Sequence, residues 1–292
     1  MEKLGLVIEG GGMKCAYSAG ILDAFLDDNI TFDYVIGVSA GAANAASFLA
    51  KQRGRNKRFY TEFINDPDYM GVRHFLKTGE FFGLSYIYQT LSNTGGRAEL
   101  DFKTLKENPA EFVVPATDAV TGKPHYFQKA DMAQDDYRVI MASSALPALS
   151  RPVSLNGHLY YDGGVTDAIP VDKALADGCD RLVVLRTKPR DFVKMPEGMK
   201  PVYSLMCRRY PETVKALNNR HLMYRRCQAR QDELEKEGRA FVFAPSNPPK
   251  MGTYTRDKTV EEQLYNLGVL DYKTEKTHLF EWLFKKKQPK FC

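Results

Sequence analysis

The hydrophobic positions fall into two alternating kinds of run. Leu4–Glu9 is a short apolar stretch that stops at Gly10–Gly11–Gly12. Beyond it, Ala16, Ala19, Gly20, Leu22, Ala24 and Phe25 recur mainly at helical spacing to about Asp28. The pattern then repeats, with Tyr34–Val38 reading as a buried strand and the alanine-rich Ala40–Ala50 as a helix. Strand, turn, helix, strand, turn, helix predicts an α/β protein built on a parallel sheet. Further along, Glu111–Thr117 and Lys123–Phe127 flank a turn at Asp118–Gly122 and predict a hairpin. Tyr137–Ser144 reads as a helix and His158–Tyr161 as a short strand ending at Asp162. Pro170 opens another helix, and Arg181–Thr187 supplies one more buried strand.

From about Pro196 the character changes. Cys207–Arg230 carries seven Arg or Lys against one acid, Glu212, and Gln231–Gly238 then turns acidic. A strand-like run, Arg239–Ala244, is followed by helical patterns through Val260–Leu267 and Thr277–Phe284. No repeat and no low-complexity linker separates the parts. The expectation is a region over 4–172 that holds the chemistry. The remainder, 173–292, is expected to be a C-terminal helical extension packed on the same sheet, not an independent domain.

Composition narrows the class. Among 292 residues, 43% are hydrophobic and 26% charged, values of a globular chain that exclude long disorder. No 18-residue apolar run offers a transmembrane helix, and Met1–Leu4 leads straight into a strand without a signal-peptide pattern. The net charge of +5 is too mild and too evenly spread to indicate nucleic acid. The cysteines, Cys15, Cys179, Cys207, Cys227 and Cys292, lack CxxC spacing. A disulfide framework and a zinc site therefore both read poorly, which fits a cytoplasmic protein. No metal-binding pattern is present, and no cofactor is expected.

Three turns carry candidate chemistry. Gly10–Gly11–Gly12–Met13–Lys14 lies between a strand and a helix, where backbone N–H groups and the helix terminus suit an anion. A dinucleotide fingerprint would need glycine where Cys15 stands, and the P-loop pattern is absent, so a nucleotide-binding oxidoreductase is disfavoured. Gly37–Val38–Ser39–Ala40–Gly41 sits at the next strand-to-helix junction, the setting of a nucleophile elbow. GxSxG arises by chance in ~0.06 chains of this composition, before that context is demanded; the plainer reading is a helix-capping serine. Asp162–Gly163–Gly164 follows a strand, and taken alone is an ordinary Asp-Gly turn.

Together the three turns resemble the patatin-like phospholipase family over about Leu4 to Asp172. A fourth block, Ala142–Ser143–Ser144–Ala145–Leu146–Pro147 with Pro152–Val153, looks like the family's ASxAxP segment. Cys15 departs from the usual family glycine. The resemblance implies a three-layer α/β/α fold with a mainly parallel central sheet. It also implies a serine acyl hydrolase acting on phospholipid or another acyl ester through a Ser–Asp dyad. Ser39 would be the nucleophile and Asp162 the proton acceptor. Backbone N–H groups among Gly10, Gly11, Gly12 and Met13 would form the oxyanion hole, with Lys14, Gly37, Gly41, Gly163 and Gly164 completing the motifs.

Other readings share the same residues. Acyl transfer or thioester cleavage would use the same acyl-enzyme, and an inactive lipid-binding protein would keep the fold alone. A Ser–Asp–His triad has His221 and His278 available in the right chain order. Phe81–Tyr88 either lines an apolar channel or covers Ser39, or else packs in the core. Leu279–Phe284 with Lys285–Lys287, and Arg208, Arg209, Arg225 and Arg226, suit peripheral contact with a membrane or a solvated basic face. Oligomeric state is not legible.

Overall fold

The computed structural model describes residues 2–284. Eight strands among them form one mixed sheet: β1 Leu4–Ile8, β2 Tyr34–Gly37, β3 Glu111–Asp118, β4 Pro124–Gln128, β5 Val153–Leu155, β6 His158–Asp162, β7 Arg181–Leu185 and β8 Ala240–Phe243. Ten helices accompany them. They are α1 Ala16–Asp27, α2 Ala40–Leu49, α3 Arg55–Thr61, α4 Val72–Thr78, α5 Phe102–Glu107, α6 Arg138–Ser143, α7 Val171–Ala176, α8 Lys200–Met206, α9 Pro211–Lys236 and α10 Lys258–Phe284. The sheet order is β5-β6-β3-β2-β1-β7-β8, with β4 beside β3. The run from β3 to β8 is parallel, whereas β4, β5 and β6 pair antiparallel.

Alternation along the central strands builds the layers. Leu6, Ile8, Val35, Val183 and Leu185 pack with α1, α2 and α10 on one face. Val7, Tyr34, Ile36, Leu182 and Val184 pack with α7 and α9 on the other. This is the three-layer α/β/α arrangement expected from the sequence. The predicted hairpin is β3–β4.

The last two helical patterns are one helix, α10. Gly268 between them is a packing contact and not a break: a Cβ there would lie 2.1 Å from the Tyr17 carbonyl of α1, and one at Gly20 would lie 2.1 Å from the Tyr265 carbonyl. The two glycines let the helices cross backbone to backbone. At its far end α10 is docked, with Leu279 buried and Trp282 Nε1 donating to the Gly238 carbonyl at 2.9 Å. Lys285–Lys287 lie outside the described residues.

Strand register places the three turns together. Gly10–Gly12 and Ser39 follow the carboxyl ends of the neighbouring parallel strands β1 and β2, where open α/β sheets hold ligands. Strand β6 runs the opposite way beside β3 and ends with Asp162 paired to Ala116. Ala116 lies three residues past Val113, which itself pairs with Ile36 of β2. Asp162 thus arrives at the level of the β2 exit.

Candidate active site

The turn at Ser39 is sharp. Ser39 has φ 56° and ψ −128°, a conformation that costs energy for a residue with a Cβ. Its flanking glycines allow the bend: a Cβ at Gly37 would lie 2.6 Å from the Gly41 carbonyl, and one at Gly41 would lie 2.8 Å from the Ile8 carbonyl. Ser143 pins the turn, because its hydroxyl accepts from the Ser39 N–H at 2.9 Å and donates to the Pro115 carbonyl at 2.6 Å. Serine at 143 therefore has a physical role inside the ASxAxP block.

Asp162 is buried, and its surroundings fix its orientation. Its backbone N–H donates to the Ala145 carbonyl at 2.8 Å, and its Oδ1 accepts from the Gly164 N–H at 2.7 Å. Burial pushes its carboxyl above the ordinary range. The Arg220 charge, hydrogen bonding by the Ser39 hydroxyl and by the Gly164 N–H, and the Lys188 charge each oppose that shift. Arg220 reaches the turn from α9, its Nε donating to the Gly164 carbonyl at 2.7 Å and its Nη1 pairing with Glu197 at 3.0 Å.

Beneath the glycine loop lies a buried polar network. Glu9, fully buried at the end of β1, accepts from Lys188 Nζ at 2.6 Å, the Thr187 N–H at 2.7 Å and the Tyr224 hydroxyl at 2.8 Å. Burial raises the Glu9 pKa, but Lys188 and Arg186 outweigh it and hold the carboxyl below its usual value. Thr187 Oγ1 and Lys188 Nζ also donate to the Gly10 carbonyl, at 2.9 and 3.3 Å. These bonds hold the carbonyl of Gly10, and Gly10–Gly12 line a cavity. Among the described residues, the N–H groups of Gly10, Gly11 and Gly12 donate to no protein acceptor. Met13 differs from the expectation, since its N–H donates to the Thr253 carbonyl at 3.3 Å. Cys15 is accommodated in the core, its thiol directed at the Glu9 carbonyl.

Ser39 lies where two cavities meet. One, of about 820 Å³ of empty space, is walled by apolar side chains including Met13, Phe59, Phe82, Leu84, Ile87 and Tyr88. The segment Phe81–Tyr88 therefore supplies wall to this cavity while remaining largely buried. The other, of about 930 Å³, is lined by Gly10–Gly12, Asp162 and Gly164, with Lys14, Lys188, Lys194 and Arg220. Glu197 pairs with Lys194 at 2.6 Å as well as with Arg220. Lys14 has no ion pair among the described residues, and burial and then the Lys188 charge lower its pKa.

Neither histidine lines either cavity. His221 is half-buried on α9, and His278 is exposed on α10 with Nδ1 3.1 Å from Glu275. Arg208, Arg209, Arg225 and Arg226 are exposed and outside both cavities. Sequence reasoning did not single out Lys188, Lys194, Glu197, Arg220 or Tyr224. All come from beyond residue 172, and only Arg220 and Tyr224 lay in a segment marked by its charge. Among the described residues no group of three or more His, Cys, Asp or Glu is arranged to hold a metal, and no helix is long and apolar enough to cross a membrane.

Comparison with known proteins adds to this geometry. A family model described as "Patatin-like phospholipase" matches residues 6–175, and one described as "Domain of unknown function (DUF6363)" matches residues 210–284. The uncharacterized protein YjjU of Escherichia coli (strain K12) is 32% identical over 203 residues, covering 68% of this chain and 56% of that protein. Lysophospholipase NTE1 of Cryptococcus neoformans var. neoformans is 26% identical over 208 residues, 65% of this chain and 12% of that protein. A crystal structure of VipD from Legionella pneumophila aligns with a TM-score of 0.42 at 13% identity, over 92% of this chain and 67% of VipD. The chain thus spans little more than half of YjjU and a small part of NTE1. Since the first model matches more than half of its length, the chain belongs to the patatin-like phospholipase family.

Proposed function

We propose that the protein is a lipid acyl hydrolase that cleaves carboxylic esters through Ser39 and Asp162. The observation that carries this reading is the junction at Ser39. A strained, glycine-flanked serine faces a buried carboxylate, with an apolar cavity on one side and a cationic one on the other. That division suits an acyl chain and an anionic headgroup.

In this mechanism Ser39 Oγ attacks the ester carbonyl and its proton passes to Asp162. A carboxylate is a weak base toward an alcohol, and burial strengthens it by raising its pKa. The N–H groups of Gly11 and Gly12 stabilise the oxyanion, each such donor being worth ~3–4 kcal/mol in related acyl chemistry. Met13 is left out because its N–H is engaged. The proton returns from Asp162 to the departing alcohol, leaving an ester between Ser39 and the acyl group. Water, deprotonated by the same carboxylate, attacks that ester, Asp162 returns the proton to Ser39 Oγ as its bond to the acyl group breaks, and the fatty acid leaves. Acyl transfer to another acceptor would share every step but the last.

Lys14, the unpaired cation of the polar cavity, is assigned to the lipid phosphate. The test is fatty-acid release from lysophosphatidylglycerol beside hydrolysis of p-nitrophenyl butyrate, which has no phosphate. Lys14→Gln is expected to lose roughly tenfold in kcat/KM on the phospholipid, the cost of one charge-assisted contact, with the neutral ester unchanged. Equal losses on both would remove Lys14 from phosphate binding. No release by folded wild type from either substrate would overturn the hydrolase reading.

A further inference from the structure

Of the thirteen large hydrophobic side chains exposed among the described residues, six fall within one stretch of fourteen. Val193, Met195, Met199, Val202, Leu205 and Met206 are between 43% and 73% exposed. Such clustering on a chain with a well-buried core marks an interaction surface. Helix α8 shows the arrangement clearly. Tyr203 packs inward with Val165 and Leu217, while Val202, Leu205 and Met206 turn outward. The helix is apolar on both sides.

This surface borders the candidate active site. Phe192, Lys194 and Glu197 line the cationic cavity, and Val193 and Met195, interleaved with them, are exposed. Basic side chains flank it. Arg151, Arg208 and Arg209 share a groove with Leu205 and Met206, and Arg225 Nε donates to the Lys194 carbonyl at 3.0 Å. Lys200, Arg208, Arg209, Arg225 and Arg226 form no ion pair among the described residues. Of the nearby acids, Glu197 is neutralised by Lys194 and Arg220 and Glu212 by Lys215 at 3.5 Å, while Asp191 and Glu80, whose Oε1 accepts from the Arg151 N–H at 3.2 Å, form no ion pair among the described residues.

We infer that residues 193–206, with Arg208 and Arg209, form a docking surface for an anionic lipid bilayer. Methionine, leucine and valine side chains enter the boundary between headgroups and acyl chains, while the arginines meet lipid phosphates. Docked this way, the mouth of the cationic cavity opens at the depth of the headgroups. The inference takes the hydrolase reading as its premise, and binding can be measured apart from it.

The experiment is co-sedimentation of the Ser39→Ala protein with vesicles of phosphatidylcholine alone or with phosphatidylglycerol added. The protein is expected to follow the anionic vesicles and to be released by salt. Leu205→Ser with Met206→Ser should lose about tenfold in partitioning, the worth of roughly two buried methylenes. Arg208→Gln with Arg209→Gln should lose roughly fivefold for each cation removed. Unchanged melting temperatures and unchanged p-nitrophenyl butyrate hydrolysis in otherwise wild-type protein will show that these variants fold. Undiminished binding by both folded double variants would overturn the surface. So would a concentration-dependent dimer, seen by light scattering, that the variants abolish without altering vesicle binding. Binding by Ser39→Ala with no fatty-acid release by wild type would support the surface and reject the hydrolase.

Discussion

Alanine at position 39 is expected to remove ester hydrolysis, lowering kcat by at least about 10⁴-fold, as loss of a covalent nucleophile does elsewhere. Asparagine at 162 should cost a similar factor, since it keeps the side chain's shape and the contact with the Gly164 N–H but cannot accept a proton. The two losses should not add in the double variant, because both residues serve one step. Steady-state release of p-nitrophenol from a soluble ester, with burst amplitude, gives each number.

The pH profile carries the same signature. In the proposed mechanism Asp162 acts only when ionised, and burial raises its pKa above the ordinary ~3.9. Activity should therefore rise with pH through a midpoint above that value. The consequence for stability has the opposite sense. A carboxyl whose folded-state pKa is raised contributes stability that is fully present below the unfolded pKa and is lost as pH rises through the folded one. At neutral pH, Asp162→Asn should therefore melt higher than wild type, and in acid the difference should shrink. An inactive variant more stable than its parent is the expected result at a site that holds a destabilising charge for function.

The second large effect concerns Lys188. Replacing it with methionine leaves Glu9 fully buried without its closest cation, and removing one partner of a buried pair costs ~3–5 kcal/mol. Arg186 and the Tyr224 hydroxyl remain near Glu9, so the lower end of that range is expected. Because the Glu9 pKa is depressed, its contribution is present above the unfolded value of ~4.3 and lost as pH falls through the folded one. Urea denaturation at pH 7 and again in acid should show Lys188→Met strongly destabilised at pH 7 and less so in acid. Hydrolysis should fall as well, since Lys188 and Thr187 hold the Gly10 carbonyl of the loop proposed to supply the oxyanion donors.

Much of the fold was legible because its signals are local. The alternating short apolar runs and helical spacings gave the parallel strands β1, β2, β7 and β8 and the hairpin β3–β4. The chemistry-bearing turns were legible because a sharp strand-to-helix bend needs glycines at fixed offsets, and Gly37 and Gly41 each lie against backbone. Helix α10 was read as two pieces because the polar turn from Asp271 to Glu275 interrupts its apolar pattern. Its crossing with α1 at Gly20 and Gly268 is a tertiary contact that no local window contains.

The cationic half of the site was not legible for a related reason. Lys188, Lys194 and Glu197 sit on the loop between β7 and α8 and Arg220 on α9, and Arg220 joins the others only when α9 packs against the β6 exit. Arg220 looks like any other arginine in its basic stretch until its guanidinium is seen on the Gly164 carbonyl. Met13 shows the same limit in reverse. Its place in the glycine loop suggests a donor, and the Thr253 carbonyl, 240 residues away in sequence, accepts its N–H.

The central claim is that Ser39 is a nucleophile activated by Asp162, and covalent trapping tests it most directly. Wild type, Ser39→Ala and Asp162→Asn would each be incubated with a fluorophosphonate ester, followed by intact-mass measurement and peptide mapping. The account predicts one adduct per wild-type chain, on the peptide that contains Ser39, none on Ser39→Ala and greatly slowed labelling of Asp162→Asn. Stoichiometric labelling of another residue, or labelling of Asp162→Asn at the wild-type rate, would contradict it.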